Sequence, residues 1–284
     1  MNEPRTYRHS LIQLVFALLL LAVLGVVLLI IIIQTNRPLL IPFIIFYGVI
    51  FLSIFYSMTL KTIISADEIS SQTFFGVKTL RWGEISRVSG SGNSLKLHNF
   101  DGDVTVAPNE QLPGYEEVVE WIGAKRLDLF NPLEHGNMTK NLEYGLILPS
   151  IALFTLGIGV FIMLQMYYAG AGIFSLLPFI VLLIVCIVVF GIAFSAPQSL
   201  TVNEKSLLIK YLSSQTMVQA DEVQSVELKY QQSRNGKIYF VKLNLVGKKP
   251  IRLSGLKPSL PIIYLTLKNW HGKNSAMGLA VQQN

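Results

Sequence analysis

Trp82-Gly83-Glu84-Ile85-Ser86-Arg87-Val88 and Ala220-Asp221-Glu222-Val223-Gln224-Ser225-Val226 hold the same place in two successive series of short strand-like runs, and this repetition organises the chain. Upstream, Thr62–Ala66 and Ile69–Phe75 flank an Ala-Asp-Glu turn, and Ser199–Val202 and Ser206–Tyr211 flank Asn203-Glu204-Lys205. Downstream, Gly92-Asn93 and Asn235-Gly236 have the composition of hairpin turns. Leu95 and Leu97, then Val104 and Val106 beyond Asp101-Gly102, alternate with polar positions as one face of a strand requires; Phe240, Val241, Leu243 and Leu245, then Ile251 and Leu253, do much the same. Each series closes on a helix-like segment after proline. Pro113 precedes Tyr115, Val118, Val119 and Ile122 at i, i+3, i+4, i+7 spacing, and Pro258 and Pro261 precede Ile262, Ile263, Leu265, Leu267 and Trp270. Trp121-Ile122-Gly123 and Trp270-His271-Gly272 end the two segments alike.

Before each series stand two long apolar runs. Leu11–Ile33, Pro38–Leu60, Gly145–Met166 and Ile173–Ser195 contain no Asp, Glu, Lys or Arg. The whole chain has 14% charged residues, against about 25% for an ordinary soluble domain, and a mean hydropathy of +0.50. Each run matches the roughly 20 residues that cross a hydrocarbon core of about 30 Å, where the backbone satisfies its own polar groups by coiling into a helix. Arg5 and Arg8 precede the first run, which is too long for a signal-peptide core and lacks a small-residue cleavage site before Gln34. The sequence therefore predicts an α+β membrane protein: four transmembrane helices in two hairpins, each followed by a small antiparallel β-barrel or sandwich capped by a helix. The expected order is a tail (1–10), hairpin 1 (11–60), domain 1 (61–127), a linker (128–144), hairpin 2 (145–195), domain 2 (196–272) and a flexible tail (273–284). Most Lys and Arg lie in 61–144 and 196–284. By the retention of basic segments inside the cell, the N-terminus, both domains and the C-terminus are expected on the cytoplasmic face of a bacterial inner or plasma membrane.

The run Ser65-Ala66-Asp67-Glu68-Ile69, followed by Phe74-Phe75-Gly76-Val77-Lys78-Thr79-Leu80-Arg81-Trp82-Gly83-Glu84-Ile85, resembles the bacterial pleckstrin-homology domains. The resemblance covers residues 62–126 and, more weakly, 199–272, where Ala220 replaces the tryptophan and Ser213-Ser214 replaces the glycine turn. It implies a seven-stranded, strongly bent barrel closed by a C-terminal helix and tethered to paired helices. It brings no catalytic residue. Phosphoinositide binding is not carried over, because the first hairpin loop has only Lys78 in one copy and no basic residue at 212–215 in the other.

No catalytic, cofactor-binding or metal-binding set is expected. His9, His98, His135 and His271 are scattered, without ligand spacing, and the single cysteine, Cys186, lies in an apolar run where it reads as a packing residue. The apolar runs hold no charge to mark an ion path. A net charge of +6 comes without a nucleic-acid-binding motif, so nucleic acid is not an expected partner. The sharper signal is charge contrast: residues 61–144 carry a net −4 and residues 196–284 a net +8. Lys248, Lys249, Arg252 and Lys257 cluster before the last helix, a candidate patch for anionic lipid headgroups or an acidic partner. The expected function is that of a non-enzymatic multi-pass membrane protein whose cytoplasmic domains serve as interaction or scaffolding modules, with the bilayer and a protein partner or second copy as its contacts. The alternative is an accessory or assembly subunit of a larger membrane complex, with transport a more distant third.

Overall fold

The computed structural model describes residues 4–35, 40–140, 142–170, 177–233 and 236–281. The chain forms two compact units, 1–89 with 94–126 and 90–93 with 127–284. In the first, strands β1 (Arg5–Arg8), β2 (Lys61–Ile64), β3 (Glu68–Thr73) and β4 (Gly76–Arg81) make an antiparallel sheet in that order. Strands β5 (Ile85–Ser89), β6 (Lys96–Asn99) and β7 (Thr105–Val106) make a second sheet, and helix α3 (Tyr115–Lys125) follows. Helices α1 (Leu11–Thr35) and α2 (Leu40–Thr59) lie in sequence between β1 and β2. The apolar positions read from the sequence form the core: Ile69 faces Leu80 across β3 and β4, and Val118, Val119 and Ile122 of α3 are fully buried.

The second unit follows the same plan. A short helix α4 (Pro132–His135) leads into β8 (Asn137–Thr139), α5 (Leu142–Tyr168) and α6 (Leu177–Ser195). Strands β9 (Ser199–Val202), β10 (Ser206–Lys210) and β11 (Gln215–Gln219) complete a sheet with β8 at its far edge. Strands β12 (Val223–Ser233), β13 (Gly236–Leu245) and β14 (Ile251–Leu253) form the other sheet, and helix α7 (Leu260–Val281) closes the unit. Each unit thus has seven strands, and each helical pair is an insertion after the first of them. The sequence places those first strands in a tail and a linker. Arg5-Thr6-Tyr7-Arg8 offers one apolar side chain to the interior, and so does Asn137-Met138-Thr139, through Met138 at 1% exposure. Helix α7 also runs through Val281, where the sequence suggests a flexible tail.

The helices overturn the expectation of four membrane spans. Among the described residues, no helix is long and apolar enough to cross a membrane. The fold is α+β, with four antiparallel sheets and seven helices among the described residues. The reading as a multi-pass membrane protein of the bacterial cell membrane, with both termini cytoplasmic, falls with the spans. The inter-helix links read at Gln34–Arg37 and Tyr167–Gly172 lie partly outside the described residues, as does the Asn235-Gly236 turn. Within the first helical pair, Gly25 lets the Tyr47 ring approach α1, since a Cβ there would stand 2.6 Å from Cε1, and the Tyr47 hydroxyl donates to the Leu21 carbonyl. Phe16, Phe46 and Leu52 stand exposed on the first pair, and Phe154 and Phe161 on the second, more apolar exposure on each than ordinary scatter.

The corner between the two sheets is the most closely repeated feature. In the first unit Trp82–Glu84 makes a single 3-10 turn, and the Glu84 carboxylate accepts from the Arg81 amide at 3.1 Å. In the second, Ala220–Glu222 makes the same turn and Glu222 accepts from the Gln219 amide at 3.2 Å. A register shift follows at once in both, between Ile85 and Arg87 and between Val223 and Ser225, the local bend that an extra residue gives an antiparallel pair. The shared glutamate of the repeat is therefore a cap on a bend, satisfying an amide that the turn leaves open.

Candidate binding face

The four basic residues singled out in the sequence lie in the β13–β14 connection, on β14 and just beyond it. Lys248, just past β13, puts its ammonium 2.5 Å from Glu222 Oε1. This hydrogen bond, with that from the Gln219 amide, holds the Glu222 carboxyl below its ordinary value. Lys249 lies exposed in the same connection. Lys257 is exposed, while its backbone amide donates to the Thr139 carbonyl at 2.8 Å. Only Arg252 stands on a sheet, in β14 opposite Lys242 of β13.

That pairing identifies a different basic surface. Along β13, Tyr239, Val241, Leu243 and Leu245 are buried, so the alternate positions Ile238, Phe240, Lys242 and Asn244 point outward. The register places Lys229 of β12 opposite Phe240, and Glu227 opposite Lys242. A row Glu227, Lys242, Arg252 therefore crosses all three strands. The Arg252 guanidinium lies 3.8 Å over the Phe240 ring and donates to Gln231 Oε1 at 3.4 Å, while Lys229 approaches Glu227 Oε2 at 3.4 Å. The face thus carries Lys229, Lys242 and Arg252 around one aromatic ring, with one carboxylate among them. Sequence reasoning missed Lys229 and Lys242, although alternation along β13 with the β14 register was the signal that joins Lys242 to Arg252.

On β6, His98 has Nε2 2.7 Å from Ser89 Oγ and Nδ1 3.1 Å from Thr105 Oγ1. A serine activated by histidine has a carboxylate on the far ring nitrogen; here that place is filled by a threonine hydroxyl, so the group reads as a cross-strand bridge. Burial, with Arg87 and Lys96 nearby, pushes the His98 imidazole below its ordinary value. The unfolded chain then binds more protons than the folded one between that lowered value and about 6.5, so stability falls as pH drops through this window. Replacing His98 with Gln is expected to flatten this part of the stability profile, read by denaturant midpoints between pH 7 and pH 5. Helices α4 and α7 also border a cavity of about 330 Å³ lined by Leu133, Val202 and Trp270 with Lys205 and Lys273. The Trp270 indole N–H faces backbone carbonyls there and is already used, at 2.7 Å to Asn203 and 3.0 Å to Glu204.

In comparison with known proteins, the chain matches no family model and no curated protein.

Proposed function

We propose that this chain is a non-enzymatic binding protein built from two pleckstrin-homology-like units, and that the outer face of β12–β14 receives an acidic segment of a partner protein. The architecture is supported by the sheets of four and three strands and the closing helix in each unit. The observation that carries the binding role is the placement of Lys242 directly opposite Arg252. Like charges in that position work against sheet pairing, and a carboxylate ligand turns the conflict into attraction. Phe240 beneath the guanidinium fixes Arg252 in a geometry suited to paired hydrogen bonds with a carboxylate.

The test is fluorescence anisotropy of a labelled glutamate-rich peptide with the full chain at low and high salt. Binding is expected to weaken at least tenfold in the Lys242→Glu/Arg252→Glu variant and to weaken with salt. Lys248→Glu, at a position already engaged with Glu222, is expected to change affinity much less. Equal binding by the double variant and the parent chain would sink the assignment.

A further inference from the structure

We infer that the β3–β4 hairpin tip of the first unit is a lipid-surface anchor, which dips its aromatic side chains among acyl chains beneath anionic headgroups. The tip, Phe74 and Phe75, connects two strands whose register is continuous to its last pair, Thr73 with Gly76. Burial does not explain the two rings: Phe74 is 67% and Phe75 82% exposed, and Val77 beside them is 58% exposed. Nor are they scattered. Phe74 and Phe75 meet edge to face at 5.6 Å, Phe55 of α2 meets Phe74 at 5.7 Å, and Tyr56 meets Phe75 at 5.8 Å. The tip conformation is also fixed locally, since Thr73 Oγ1 accepts from the Phe75 amide at 3.2 Å and donates to the Gly76 carbonyl at 3.2 Å. A preorganised aromatic wedge binds without a large ordering cost.

Charge on the hairpin selects the occupant. Lys61 of β2 shares a row with Gln72 and Val77, and Lys78 shares the next row with Ser71 and Thr62. Successive residues of a strand face opposite sides, so the two lysines fall on opposite faces of the sheet, one row apart, just below the tip. No Asp or Glu occurs between Ile69 and Gly83. A protein pocket would favour recognition groups on one face, whereas a basic collar on both faces below an apolar end fits the layering of an anionic lipid surface. The spacing agrees as well. Two residues of strand span about 7 Å, within the roughly 5–10 Å to which apolar side chains sink at a headgroup boundary, and each lysine near such a surface adds to the attraction. The corresponding connection of the second unit presents Leu212 at 57% exposure next to Lys210, a smaller version of the same polarity. This anchor requires no helix to cross the bilayer, and it rests on different residues from the β12–β14 face.

The test places an environment-sensitive label on the full chain, in a Cys186→Ala background, at Phe75→Cys or at the exposed Asp101→Cys turn of the same unit. Probes are vesicles of phosphatidylcholine with about one third phosphatidylglycerol, with and without brominated acyl chains. The label at 75 is expected to shift to the blue on adding vesicles and to be quenched severalfold more by brominated lipid than the label at 101. Lys61→Glu/Lys78→Glu is expected to reduce that quenching severalfold. Equal responses at 75 and 101 would overturn the inference. So would a label at 75 that is already blue-shifted before lipid is added, because protein would then cover the tip.

Discussion

Truncating Trp270 to alanine is expected to destabilise the second unit by about 3–5 kcal/mol, the usual cost of removing a buried tryptophan, a large share of the roughly 5–15 kcal/mol that holds a domain folded. Trp270 is 2% exposed on α7, and its indole N–H donates to the Asn203 and Glu204 carbonyls of the β9–β10 turn. In the first unit the corresponding β2–β3 turn is held by a tryptophan from a different element. Trp82, at the corner between sheets, donates to the Ser65 carbonyl at 3.2 Å, and Lys125 at the end of α3 donates to Ala66 at 3.0 Å. Where Ala220 removes the corner indole, the closing helix supplies it. Trp121, which sits where Trp270 does in the repeat, is instead only half-buried and faces the Arg5 guanidinium at 5.5 Å. Trp270→Phe should therefore cost about 0.5–1.5 kcal/mol, chiefly from the lost bond to the Asn203 carbonyl, since Asn274 Nδ2 still donates to the Glu204 carbonyl at 2.9 Å, while Trp121→Phe stays within about 0.5 kcal/mol. Native-state hydrogen exchange of the β10 and β3 amides separates the units, and equal effects at the two tryptophans would refute the exchange of roles.

This exchange marks the limit of what the sequence carries. The α+β content and the two strand series were legible because Leu95, Leu97, Val104 and Val106 alternate with polar residues and Val118, Val119 and Ile122 form a helical stripe. The corner glutamates were visible as a repeat, but their work as caps depends on amides three residues earlier in a 3-10 turn. Strand β1 was not legible. Its pairing of Tyr7 with Thr62 joins positions on either side of α1 and α2, and no local period reports so distant a partner. The basic face of β12–β14 was not legible for a related reason. Lys248, Lys249, Arg252 and Lys257 are neighbours along the chain, whereas Lys229, Lys242 and Arg252 are neighbours across strands, which only the register reveals. The apolar runs gave helices, but the length of an apolar run proved insufficient evidence for a span.

Substituting Gly114 with valine is expected to loosen β1 from the first unit, at a cost of about 1–3 kcal/mol for the backbone and about 1–3 kcal/mol more for overpacking. Gly114 precedes α3 with φ of 78°, in the left-handed region that β-branched residues avoid. A Cβ at this position would also stand 2.9 Å from Cδ1 and Cε1 of Tyr7. The Tyr7 ring cannot yield freely, because its hydroxyl donates to Glu117 Oε2 at 3.1 Å and the same carboxylate lies 3.7 Å from Arg5. These contacts strap β1 to α3, so displacing the ring strains both the strand and the helix start. Gly102 supplies the matched control: its φ is 79°, and nothing lies within 4 Å of the Cβ position. Gly102→Val carries the backbone cost alone. Faster amide exchange at Tyr7 and Thr62 in Gly114→Val, without the same change in Gly102→Val, would establish the Tyr7 contact as the clasp that brings a strand from before the helical pair into the sheet behind it. Equal losses in the two variants would reduce Gly114 to an ordinary turn glycine.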